Sequence, residues 1–247
     1  MQWFVSIGER PDSRGSRMSI NKFPFVAGVD GATRPCMTAS LTLYGNTPVT
    51  SPFVCTVFVA LEEKGLSFQH EALDLNKGEQ HEPSFVQHSI TNRVPTLRHG
   101  DFWLSESMAI AEYLEEAFPA PQYTRLYPVD VKERARVRMV QGLVRSDFHD
   151  LRAARSTETF LQGHARQPLN AGAQATAERL IRIALQVLQG RQTVASQFSI
   201  ADVDLALMLA RLVKNDDPVP PAIRDYVVLH FARPSVRKWL ALTQYRD

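Results

Sequence analysis

The stretch LTLYGNTPVTSPFVCTVFVALEEKG, residues 41–65, brings Tyr44, Thr47, Thr50, Ser51 and Cys55 ahead of, or into the start of, a helical pattern. Phe53, Val54, Val57, Phe58 and Leu61 set the helical spacing, Pro52 suits the first helical position and Gly65 closes the run. Ser51 therefore stands at a helix N-terminus, where free N–H groups and the positive end of the helix dipole favour an anion. A hydroxyl in that place would stabilise a thiolate held against it. It reads equally as a plain N-cap, since serine is a leading cap residue. Thr50 adjoins it and could share the role, Tyr44 reads as packing at the end of a strand, and Cys55 reads as a small buried hydrophobe among Val54, Val57 and Phe58.

A second candidate lies in LSESMAIAEYL, residues 104–114, where Glu106 and Ser107 open a helix directly after a strand. The Ser107 hydroxyl and the first N–H groups make a carboxylate site, and Glu106 can take an ammonium. An α-amino acid end carries both charges, so the pair suits it, although a capped helix with an acidic start is also common. Ser199-Ile200-Ala201-Asp202 is a capping box and reads as structural. The seven histidines show no HExxH or paired ligand spacing, so no metal is expected.

The elements around these residues change character along the chain. Residues 1–39 are broken by Gly8, Pro11, Gly15, Pro24, Gly28, Gly31 and Pro35 and read as a flexible extension. From residue 40 the pattern runs strand 41–45, helix 52–65, strand 68–75, short helix 82–88, a hairpin turning at His99-Gly100-Asp101, and a helix 107–118. After the proline-rich joint FPAPQYTRLYP the strand signals fade. One helical pattern runs from Val131 to Arg155, and others cover 177–190, 199–216, 222–232 and 234–245. The expected architecture is a small α/β unit, residues 40–121, followed by an all-helical unit, residues 122–247.

Composition bounds the function. Apolar residues make up 44% and charged residues 22%, as in ordinary globular proteins, and a net charge of +2 is too balanced for nucleic-acid binding. Stretches such as KERARVR and DLRAAR read as solvated faces. The two cysteines, Cys36 and Cys55, make no disulfide framework, so a reducing, cytoplasmic setting is expected. There is no apolar run long enough to cross a membrane, and the N-terminus makes a poor secretory signal.

The strand leading into a helix that opens with SPFV resembles the thioredoxin-like fold, in which glutaredoxins carry Cys-Pro-Phe/Tyr-Cys. Ser51 and Val54 occupy the thiol positions here, so a dithiol mechanism is excluded and the sulfur must come from a bound molecule. With VPTL, LSESMAIAEYLEE and FSIADVDLALML in the same order, residues 40–247 resemble the cytosolic glutathione transferases, with greatest similarity to the bacterial YfcF-like group. The resemblance implies a thioredoxin-like domain that binds glutathione as co-substrate and an all-helical domain lining a second-substrate pocket. It implies Ser51 as the thiolate-stabilising hydroxyl, with Tyr44 as runner-up, and a cis peptide before Pro95. The Val94 backbone would hold the cysteinyl part of glutathione, Glu106 and Ser107 its γ-glutamyl end, and Gln80 its glycine carboxylate, with Lys77 or His81 as substitutes. It further implies a homodimer and either transfer to an electrophile or reduction of an organic hydroperoxide. The alternative is a non-enzymatic binding or assembly module that keeps the fold. The segment SITNRVP departs from the family's Asn-Pro-x-Gly-x-Val-Pro, which leaves Arg93 as an unassigned basic group.

Overall fold

The computed structural model describes residues 39–163 and 167–243; the expectation for the N-terminal extension lies outside the described residues apart from Ala39. Four strands, β1 (Leu41–Thr47), β2 (Phe68–Asp74), β3 (Thr96–His99) and β4 (Phe102–Ser105), form one sheet in the order β2-β1-β3-β4. β1 runs parallel to β2 and antiparallel to β3, with Leu43 opposite both His70 and Leu97. The expected hairpin joins β3 to β4, with Leu97 opposite Leu104. β1 extends two residues beyond the expected end because Asn46 and Thr47 still pair with Leu73 and Asp74.

Helices α1 (Pro52–Glu63) and α3 (Ser107–Ala117) share one core with the sheet. Leu43 and Leu97 there meet a layer that includes Val57 and Leu61 of α1 and Ile110 and Leu114 of α3, all buried. The alternation of side chains along a strand sends Tyr44 to the opposite face. There it stacks on Trp103 and meets Phe85 of the short helix α2 (Pro83–Val86) edge-on.

The joint to the helical part is tied to α1 by a buried cation. Lys64 donates to the Glu115 carboxylate and to the carbonyls of Phe118 and Thr124, each at 2.9 Å. Among the described residues seven helices follow: α4 (Val131–Ser146), α5 (His149–Ala154), α6 (Thr157–Leu161), α7 (Ala171–Leu188), α8 (Ile200–Val213), α9 (Pro221–Phe231) and α10 (Pro234–Leu240). The single helical pattern expected over residues 131–155 is in fact two helices. Phe148 takes a left-handed backbone (φ 60°) that turns its ring into the core, and the Asp147 carboxylate accepts its N–H at 2.8 Å. α6 falls where the sequence pattern gives no helix, and α7 begins six residues before the expected start.

α8 is the axis of this part: every one of its residues is buried. A helix buried all round is normally apolar, yet α8 carries Asp202, Asp204 and Arg211. Asp202 completes the capping box, accepting from the Ser199 N–H at 2.8 Å, and also accepts from the Val194 N–H and the Tyr226 hydroxyl. Asp204 is bonded to Arg145 of the functional region described next.

Candidate active site

The loop between β1 and α1 is held by one side chain. The Asn46 amide donates to the Pro48 carbonyl at 2.6 Å and to Thr50 Oγ1 at 3.0 Å, while its Oδ1 accepts the Ser51 N–H at 3.2 Å. Ser51 sits at the N-cap of α1 with extended backbone (φ −70°, ψ 118°), and its Oγ accepts the Val54 N–H at a long 3.3 Å. Its hydroxyl proton has no acceptor among the described residues. The Cys55 N–H is used by the Ser51 carbonyl, Pro52 has no N–H, and the Phe53 N–H makes no hydrogen bond among the described residues. A free O–H, a free N–H and the helix dipole thus converge at the head of α1.

The neighbouring candidates are engaged elsewhere. Thr50 is buried, accepts from Asn46 and donates to the Pro48 carbonyl at 3.4 Å. Tyr44 is locked in its aromatic stack within the sheet, and burial together with the Glu71 charge pushes its phenol up. Cys55 is fully buried, as expected, and desolvation pushes its thiol well above the ordinary value.

The second helix start is built differently. Ser107, 3% exposed, opens α3, and its Oγ accepts from Arg145 Nε at 3.1 Å and Nη2 at 2.8 Å. Arg145, on α4, also donates to Asp204 at 2.9 and 3.2 Å and to the Gln141 carbonyl at 2.9 Å. Asp204 in turn accepts from Thr56 Oγ1 of α1 at 2.5 Å and from Gln141 Nε2 at 3.0 Å. Because Ser107 accepts two N–H bonds from a cation, its own proton is polarised outward, and charge-assisted bonds of this kind are about twice as strong as neutral ones. Glu106 forms the N-cap in a left-handed backbone (φ 73°), a conformation that costs about 1–3 kcal/mol for a non-glycine residue and concentrates at functional sites. Its carboxylate is without a hydrogen-bond partner among the described residues.

Phe53, Arg93, Val94, Pro95, Glu106, Ser107 and Arg145 line a cleft of about 170 Å³. The Val94–Pro95 peptide is cis, as expected, and the Val94 backbone makes no hydrogen bond among the described residues. The departure at SITNRVP has a physical substitute: Ser89, 1% exposed, joins Thr96 and Ser105 in a hydroxyl cluster with distances of 3.1, 3.2 and 3.1 Å. Arg93 is exposed on the cleft wall.

Of the residues singled out from sequence, Val94, Glu106 and Ser107 are brought together, and Ser51 heads the helix whose Phe53 lines the same cleft. Gln80 is not among the lining residues. It sits in a one-turn helix, Glu79–His81, with Nε2 on the Leu75 carbonyl at 3.4 Å and its Oε1 sealed without a partner. Lys77 pairs with Asp74 at 3.1 Å, and His81 is exposed. The structure also corrects the reading of DLRAAR as a solvated face. Arg155 is 2% exposed and bidentate on Asp217 at 2.6 and 2.7 Å, and Arg152 is half-buried. Sequence reasoning missed Arg145 and Asn46 altogether. Asn46 carried a signal, a turn-forming amide between a strand and a helix start, whereas Arg145 carried none.

Two family models match the chain: the N-terminal domain of glutathione S-transferase over residues 39–116 and its C-terminal domain over residues 130–245. A carnation protein, glutathione S-transferase 1 of Dianthus caryophyllus, is 40% identical over 38% of this chain and 42% of its own length. The match to glutathione S-transferase theta-3 of Mus musculus covers 33% of that protein, so the chain spans less than half the length of either of these two relatives. A probable maleylacetoacetate isomerase of Vibrio cholerae is 31% identical over 67% of this chain and 78% of its own length. Among solved structures, a glutathione transferase homologue from Burkholderia with bound glutathione is 41% identical, with a TM-score of 0.67, covering 82% of this chain and 96% of that one.

Proposed function

The chain belongs to the glutathione S-transferase family, and from that premise we propose that it binds glutathione along the α1–α3 cleft and activates its thiol for attack on an electrophile. The observation that carries this reading is the free Ser51 hydroxyl at the head of α1, beside the free Phe53 N–H. Within the same reading, residues 40–121 form the glutathione-binding domain and 122–247 the domain lining the second-substrate pocket.

The peptide is matched group by group. The γ-glutamyl ammonium meets the Glu106 carboxylate, and its carboxylate meets the Ser107 hydroxyl and the Arg145 guanidinium behind it. The cysteinyl backbone pairs with the free N–H and C=O of Val94, as an added strand would. That leaves the sulfur at the start of α1. There the Ser51 O–H, the Phe53 N–H and the helix dipole favour thiolate over thiol, and a free thiol of pKa about 8.5 lowered by about two units is mostly ionised at neutral pH. The thiolate forms a bond to the electrophilic carbon while the leaving group departs with its electron pair. With an organic hydroperoxide the sulfur takes the terminal hydroxyl and the alkoxide leaves as the alcohol; a second glutathione thiol then displaces water from the sulfenic acid to form the disulfide, so no protein cysteine is needed. For the glycine carboxylate the proposal keeps Gln80, with Lys77 or His81 as substitutes, and Arg93 adds an exposed cation on the cleft wall.

Placement in the bacterial YfcF-like group, a homodimeric state and a cytoplasmic location complete the proposal; light scattering at micromolar concentration tests the second. The activity itself is tested by calorimetric titration with glutathione alongside conjugation of 1-chloro-2,4-dinitrobenzene and reduction of cumene hydroperoxide. Micromolar-to-millimolar binding with turnover of either substrate is expected. Binding without turnover of any electrophile or peroxide would make the protein a non-enzymatic module.

A further inference from the structure

Phe53 also lines a second, smaller pocket, together with Pro52, Val144, Asp204 and the guanidinium-bearing Arg152 and Arg211. It adjoins the first turn of α1, where the reactive sulfur lies in the function proposed above. Three of its walls come from α4, α5 and α8, and two of these contribute a guanidinium.

The charges there do not balance locally. Asp204 is the carboxylate among the lining residues, and both of its oxygens are occupied by Arg145, Gln141 and Thr56. Arg152 donates only through Nη1, to the Val144 and Arg145 carbonyls at 3.4 and 3.0 Å. Arg211 is 5% exposed and donates only through Nη1, to the Arg155 carbonyl at 2.5 Å. Neither has a carboxylate within 4.0 Å among the described residues; Asp147, the acid whose charge acts on Arg152, is bound to Arg179 at 2.6 Å. Every other deeply buried cation described here has an acidic partner: Lys64 has Glu115 and Arg155 has Asp217. Burying a cation without an anion is strongly unfavourable. Burial and the like charge of Arg152 together pull Arg211 down to about 10, which still leaves it charged at neutral pH.

We propose that Arg152 and Arg211 form an anion subsite for the second substrate, so that the electrophile this enzyme takes carries a carboxylate. The enclosed space is about 10 Å³, close to what one water-sized group occupies. It therefore admits one oxygen of an acidic group, while the rest of the substrate, with its electrophilic carbon, stays at the open mouth beside Phe53. Charge-assisted bonds from the two guanidinium groups to that oxygen would fix the substrate's orientation as well as its affinity. The apolar Leu207, Met208 and Phe53 are left to cover the body of the substrate.

The proposal rests on the glutathione-transferase reading, and the test separates the two. One arm measures conjugation of 4-chloro-3-nitrobenzoate against its neutral isostere 4-chloro-3-nitrobenzamide. The other measures binding of the non-reacting 4-nitrobenzoate and 4-nitrobenzamide to the protein saturated with S-methylglutathione. The wild-type enzyme is expected to favour the carboxylate at least tenfold in kcat/KM and in Kd. Arg211→Gln and, independently, Arg152→Gln should raise KM for the benzoate about tenfold or more, leaving the benzamide and the KM for glutathione unchanged, and Arg152→Lys should restore most of the preference. Arg152→Gln, at a half-buried position, keeps the test available if Arg211→Gln does not fold. Equal binding of acid and amide, or a loss in the variants that is the same for both, overturns the subsite. Arginine-dependent binding of the benzoate with no conjugation of either compound upholds the subsite and instead refutes the transferase activity.

Discussion

The two helix starts at the glutathione cleft use the same residue type for opposite purposes. At α1 the Ser51 hydroxyl accepts one long bond from within its own helix and leaves its proton free. At α3 the Ser107 hydroxyl accepts two bonds from Arg145 of the helical part, which is itself clamped to Asp204. The first serine is poised for a group that is not part of the protein. The second is already wired into a buried network that joins Thr56, Gln141, Arg145 and Asp204 and so holds α1, α3, α4 and α8 together. Chemistry at one end can thus be altered with little effect on the fold, whereas binding at the other end is inseparable from it.

The sharpest way to break this contrast is Arg145→Ala. It leaves Asp204, whose side chain is 2% exposed, without its cation, and breaking a buried pair costs about 3–5 kcal/mol. Urea unfolding should show a loss of that order, together with loss of glutathione binding. A variant of wild-type stability would show that the two ends do not differ in this way.

Next in size are Ser107→Ala and Glu106→Ala. Each removes a charge-assisted bond worth about 1.5–3 kcal/mol from the γ-glutamyl end, so calorimetry should show glutathione bound about tenfold or more weaker. Turnover at saturating glutathione should change little, because the sulfur end is intact. Unchanged affinity in both variants would remove these residues from the site.

Thr50→Val asks whether the α1 end depends on Ser51 alone. Thr50 is engaged with Asn46 and Pro48, so its loss should cost about 1 kcal/mol of stability and only a few-fold in turnover. A loss as large as that for Ser51→Ala would mean that the two hydroxyls act together.

The smallest effect is a pH dependence remote from the cleft. Burial alone would raise the Glu63 carboxyl, but hydrogen bonds from Arg233 and Ser235 and the Arg233 charge outweigh it and hold it below the ordinary value. A carboxyl depressed in the folded state contributes stability above its unfolded pKa of about 4.3, and that contribution fades as pH falls through the folded value. Glu63→Gln should therefore lower stability at neutral pH and flatten the acid side of the melting-temperature profile below about pH 4. An unchanged profile would show that the contact between α1 and α10 contributes nothing.

What could be read in the sequence follows from how local each signal is. Ser51-Pro52 before an apolar helical run, and Glu106-Ser107 after a strand, announce helix starts within a few residues, and both stand where expected. The capping box at Ser199 and Asp202 is local in the same sense. The arginines are not. Arg145, Arg152 and Arg155 lie near Asp147 and Asp150 in sequence, a pattern that mimics a solvated helix face. Only the packing of α4 against α8 and of α5 against α7, with Asp204 and Asp217 as partners for Arg145 and Arg155, turns these residues inward. The break between α4 and α5 escaped for a related reason, since nothing in DFHD reveals that Phe148 accepts a left-handed backbone to reach the core. The expectation for Gln80 rests on likeness alone, and its side chain is turned onto the Leu75 carbonyl.

The central claim is that the Ser51 hydroxyl holds a thiolate. Its most direct test is the pH titration of glutathione bound to wild-type protein and to Ser51→Ala, followed by ultraviolet absorbance of the thiolate, with conjugation rates measured on the same samples. Loss of one charge-assisted bond of about 2 kcal/mol should raise the bound thiol's pKa by about 1.5 units and slow transfer about thirtyfold, while glutathione affinity through Glu106 and Ser107 stays within a few-fold. An unchanged thiol pKa and a wild-type rate in Ser51→Ala would make Ser51 a helix cap and nothing more.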